Sequence, residues 1–165
     1  MPQLDHDRYS AYLNQHLFAS DAGMRAFQAA ADSWGDNAYG QVFATIHEEL
    51  KDSRARVVDL IEGWGYQVST ARTLLSGVAQ LAGRLNPLNP SRDADSDTGQ
   101  LEVDSLVGAV RTQRMMWETL DALRVVDDRV DAEFVRAMLA RCDSQIQRIC
   151  EVSAATAPAR FTIAD

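Results

Sequence analysis

The stretch YGQVFATIHEELKDSRARVVDLIEGWGY, Tyr39 to Tyr66, carries the cleanest helical signal in the chain. Tyr39, Val42, Phe43, Ile46, Leu50, Val57, Leu60, Ile61 and Trp64 recur at three- and four-residue intervals, so they form one apolar stripe. A helix of about seven turns follows from that spacing. Gly65 can end it, because glycine enters the left-handed backbone region without a Cβ clash. A stripe this long must be covered by other helices.

Upstream, the pattern predicts a helix from Leu4 or Asp5 to Trp34, with Tyr9, Leu13, His16, Ser20, Gly23, Met24, Phe27, Ala31 and Trp34 on one face. Gly35 closes it, and Asp36 or Asn37 can cap the next helix. So short a connection makes the first two helices antiparallel neighbours. Phe18 points almost opposite to the stripe, either as an exposed aromatic or as part of a second interface.

Downstream, Ser69 or Thr70 opens a shorter helix ending near Leu85, with Leu74, Leu75, Val78, Leu81 and Ala82 on its apolar side. Residues 86–99, NPLNPSRDADSDTG, read as an acidic loop. A third long helix is expected from Gln100 to Val126, with Leu106, Ala109, Val110, Gln113, Trp117 and Leu120 inward. Asp127 or Asp128 would cap a fourth, from Arg129 to Ala155, whose stripe is Val135, Met138, Leu139, Cys142, Ile146 and Ile149. The tail, 156–165, contains Pro158 and is expected to be extended.

Connection lengths select the topology. The outer helix pairs are joined by tight turns, whereas about 35 residues separate the second helix from the third, enough to run back along helices of about 40 Å. Two hairpins joined by one long crossover define an all-α, ferritin-like four-helix bundle, here with an additional short helix in the crossover. All 165 residues fit one domain.

With 46% hydrophobic and 24% charged residues the chain is an ordinary globular one, and its net charge of −8 disfavours a nucleic-acid partner. No apolar run reaches the roughly 18 residues of a membrane span, and the opening MPQLDHDRY lacks a basic region followed by an apolar one, so a cytoplasmic location is expected. Cys142 and Cys150 lie on one helix about 12 Å apart, beyond disulfide reach, and read as reduced packing residues. A homodimer is compatible with an acidic bundle.

A ferritin-like bundle raises the question of a dinuclear metal centre, which needs a Glu on two helices and a Glu-x-x-His pair on the other two. The three histidines are His6, His16 and His47, and no Glu-x-x-His or His-x-x-x-His occurs. The expectation is therefore no cofactor and no metal. The alternative is a nonstandard metal site built from His16, His47, Glu48 and Glu49, serving an oxidoreductase or metal carrier. No Gly-rich phosphate loop or GxSxG elbow appears, and no residue set points to catalysis.

The inward-facing polar residues give the remaining candidates. His16, Ser20, Glu49 and Gln113 could contribute to a ligand site between the helices. The blander readings are a hydrogen-bonded His16, a Gln113 satisfied by Ser20, Ser53 or Gln145, and a Ser20 and Gly23 kept small for close helix approach. The run His47, Glu48, Glu49, Lys51, Asp52, Arg54, Arg56 reads as a solvated face with Asp52 and Arg56 at pairing distance.

The segment Tyr12 to Leu17 (Y-L-N-Q-H-L), the Glu48-Glu49-x-x-Asp52 cluster and the long crossover together resemble a family of uncharacterised bacterial ferritin-like four-helix proteins that open with a similar Y-L-N-x-H-L segment. The resemblance spans about Tyr9 to Val152. It implies the fold and brings no established activity. The function expected is that of a non-enzymatic helical module with a protein or small-molecule partner.

Overall fold

The computed structural model describes residues 3–69 and 97–163. These form four helices: α1 (His6–Trp34), α2 (Ala38–Gly63), α3 (Asp97–Leu123) and α4 (Ala132–Phe161). The secondary structure of the described residues is all-helical, with no strand among them. The short helix expected between Ser69 and Leu85, and most of the acidic loop at 86–99, lie outside the described residues.

The α1–α2 turn is built by local chemistry. Asp5 caps α1 by accepting from the Arg8 amide, Gly35 leaves the helix at φ 69°, and Asn37 accepts from the Tyr39 and Gly40 amides. Gly40 permits the turn, since a Cβ there would overlap the Gly35 carbonyl oxygen. At the far end of α2, Gly65 at φ 79° lets the Tyr66 amide reach back to the Ile61 carbonyl, closing the helix. Beyond it, buried Asn14 donates to the Gln67 carbonyl and accepts from the Ser69 amide, which pins the departing chain onto α1.

Side-chain pairings give the helix directions. Trp34 meets Phe43 and Tyr9 stacks on Trp64, so α1 and α2 are antiparallel. Gln100 reaches Ser153 and Trp117 packs against Phe134, so α3 and α4 are antiparallel too. Tyr12 donates to Thr119 and Arg160 lies over Trp34. These contacts bring the start of α1 beside the end of α3, and make α2 and α3 run in the same direction. The core between them holds Leu13, Phe27, Phe43, Ile46, Ile61, Leu106, Met116, Trp117, Leu120 and Ile149, all fully buried. Each such side chain contributes about 1.5–3 kcal/mol on removal from water.

Four boundaries differ from the sequence reading. α3 begins at Asp97, inside the stretch assigned to the acidic loop, and ends at Leu123 rather than Val126. α4 is capped by Asp131, not by Asp127 or Asp128. Asp127 is instead buried, with its carboxylate held by Arg129, whose guanidinium also lies over Trp64 and Tyr66 and donates to the Tyr66 hydroxyl. The tail expected to be extended from Thr156 continues α4 to Phe161. Pro158 sits near the helix end, where its missing N–H forfeits one bond, and its carbonyl accepts from both the amide and the hydroxyl of Thr162.

Candidate ligand-binding cavity

Along the middle of α1, small side chains replace large ones: Ala19, Ser20, Ala22 and Gly23 occupy a little over one turn, and Ala109 faces them from α3. The result is a largely apolar cavity of about 120 Å³, partly open to solvent, where α1, α2 and α3 meet. Leu17, Phe27, Leu50, Val57, Val110 and Met116 form its apolar wall. Gly23 is buried, yet a Cβ at that position would meet nothing within 4 Å. Its small size therefore leaves room rather than allowing close helix approach, contrary to the sequence reading. Phe18 is half-buried and also lines the cavity, so it is not the outward-pointing aromatic expected.

Polar groups on the lining are few. The hydroxyl of Ser20 is spent on the Leu17 carbonyl at 2.6 Å, and that of Thr112 on the Gly108 carbonyl at 3.0 Å. Gln113 does not form the network expected with Ser20, Ser53 or Gln145: its Oε1 is enclosed and has no donor among the described residues. An enclosed unpaired amide oxygen costs about 1–3 kcal/mol, so α3 carries this residue at the expense of stability. His16 packs edge-on against Tyr12 at 4.7 Å between centroids, and burial holds its imidazole pKa below the usual value. It is therefore neutral at pH 7. The charged lining residues are Arg25 and Arg54, the latter paired with Asp21 at 2.6 Å.

The cavity unites three of the four sequence candidates, His16, Ser20 and Gln113. Glu49 is elsewhere, on the α2–α4 seam, where one oxygen accepts from Gln145 at 2.9 Å and from Arg148. Asp52 likewise accepts from Arg56 at 2.9 Å and from Arg141, whose hydrogen bond is the main reason its carboxyl pKa is lowered. In the His47 to Arg56 run Asp52 and Arg56 pair as their spacing predicts, but the run is not simply a solvated face, because His47, Glu49, Asp52 and Arg54 each cross to a neighbouring helix. Periodicity marked the exposed side of α2 but could not assign partners on α1 and α4.

Of the alternative metal ligands only His47 and Glu48 approach one another, Nε2 to Oε1 at 3.9 Å, and the four do not converge. His47 Nδ1 lies 2.9 Å from the Met24 carbonyl, Glu48 pairs with Lys51 at 3.0 Å, and Glu49 is engaged by α4. His16 opens instead onto the cavity. No group of three or more His, Cys, Asp and Glu among the described residues is placed to hold a metal ion. Both cysteines are free, with Cys142 buried and its thiol pushed up to about 11 by that burial, while Cys150 is exposed rather than packed. Among the described residues no helix is long and apolar enough to cross a membrane.

Sequence reasoning missed Phe18, Arg25 and Arg54 as lining residues. The available signal was the run Ala19, Ser20, Ala22, Gly23 opposite Ala109, a patch of missing volume in otherwise well-filled stripes. Fold and site together define a four-helix bundle with a half-open apolar cavity. Comparison with protein-family models, curated proteins and solved structures gives no match.

Proposed function

We propose that the protein is a non-enzymatic, ferritin-like helical bundle that binds a small molecule in the cavity between α1, α2 and α3, without a dinuclear metal centre. Gly23 carries this reading. A glycine inside a helix costs about 1 kcal/mol relative to alanine, and here no neighbour would obstruct the added methyl group. That cost brings no packing benefit, whereas the space it leaves is of the order that admits a benzene-sized molecule. The ferritin-like assignment is supported by two antiparallel hairpins whose inner helices run parallel.

Native mass spectrometry separates this reading from a metal-dependent one. Incubation with neutral apolar compounds of about benzene's size is expected to give a one-to-one complex, lost in Gly23→Leu. Incubation with iron, manganese or zinc is expected to give none. A stoichiometric metal adduct with no organic complex would overturn the proposal.

A further inference from the structure

The charge around the cavity runs against that of the chain. Acidic residues outnumber basic ones by 24 to 16, yet among the described residues the lining contains two arginines and no carboxylate. Arg54 is tied through Nε to Asp21, and its terminal nitrogens make no hydrogen bond among the described residues. Arg25 is exposed and makes neither an ion pair nor a hydrogen bond there. The two residues come from different helices, α1 and α2, and both line a site whose other walls are mostly apolar.

Resting on the small-molecule reading above, we infer that the cavity takes an amphipathic monocarboxylate, with a short aryl or alkyl body among Gly23, Phe27, Ala109 and Met116 and its carboxylate toward Arg25 and Arg54. A guanidinium suits this role because its planar fork donates two parallel hydrogen bonds to a carboxylate. The volume limits the enclosed part of the ligand to about the size of a phenyl ring. A cationic counterpart is disfavoured chiefly by Arg25, since Asp21 offsets the charge of Arg54. A neutral one fills the apolar space but forms no ion pair with the arginines.

Calorimetric titration of the full chain with 3-phenylpropanoate, 3-phenylpropan-1-ol and 3-phenylpropan-1-amine tests this, because the three share one body and differ in head-group charge. The expected order is carboxylate tightest, alcohol about tenfold weaker and amine weakest, with the gap narrowing as salt is raised. Arg25→Gln should weaken the carboxylate severalfold and the alcohol much less. Ala19→Leu, or Gly23→Leu if the first does not fold, should abolish binding of both. Equal binding of carboxylate and alcohol overturns the charge assignment while leaving the cavity as a ligand site. A carboxylate preference that survives both Arg25→Gln and Arg54→Gln overturns it as well. Binding of none of the three overturns the small-molecule reading itself.

Discussion

The imidazole Nδ1 of His47 on α2 lies 2.9 Å from the main-chain carbonyl oxygen of Met24 on α1. A carbonyl can only accept, so Nδ1–H is the donor. This is a clasp between the first two helices at mid-height, made by a residue that sequence alone offered as a metal ligand. His47→Ala should cost about 1 kcal/mol, the usual net value of one such bond, measured by urea denaturation. A loss above 3 kcal/mol would show that His47 does more than join the helices.

Gly23 separates room from necessity. Because its added Cβ would meet nothing within 4 Å, Gly23→Ala should raise stability by about 0.5–1 kcal/mol through helix propensity alone. The same substitution should weaken ligand binding by reducing the cavity. Destabilisation on denaturant titration would mean that the space is not available as described.

Gly40 is the opposite case. An added Cβ overlaps the Gly35 carbonyl oxygen, part of a backbone turn that cannot rotate away. Gly40→Ala should therefore cost about 1–3 kcal/mol, typical of forced overpacking, despite the better helix propensity of alanine. A neutral or stabilising result in thermal unfolding would contradict the geometry of the α1–α2 turn.

His16 predicts a pH dependence with a definite sign. Burial lowers its folded pKa below the ordinary 6.5, so the unfolded chain takes up the proton first. Stability is then full above about 6.5 and falls as pH drops from there toward the folded value. Unfolding midpoints measured from pH 7.5 to 5 should show this decline in the native chain and a smaller one in His16→Asn. Equal slopes would contradict the burial of the imidazole.

Helix existence and direction were legible because they rest on long, strongly periodic stripes and on short connections: Gly35, Asn37 and Gly65 act as their residue types predict. Boundaries depending on competition between neighbours were not. Asp127 is a good cap by type, but Arg129 and burial claim its carboxylate, so Asp131 caps α4. Pro158 is a helix breaker by type, yet near a helix end it removes only one bond. The site was half visible for a similar reason. Periodicity placed His16, Ser20, Gly23 and Gln113 inward, but a stripe records which residues face the core and not whether they fill it. Arg25 and Arg54 read as ordinary surface charges until α1 and α2 bring them to one cavity.

The claim that the α1–α2–α3 cavity is a ligand site is tested most directly by a nitrogen–proton NMR titration with 3-phenylpropan-1-ol, which removes ligand charge from the question. The account predicts saturable shifts concentrated at the amides of Ser20, Gly23, Ala109 and Gln113. Unchanged spectra at millimolar ligand, or shifts confined to residues away from these, would contradict it.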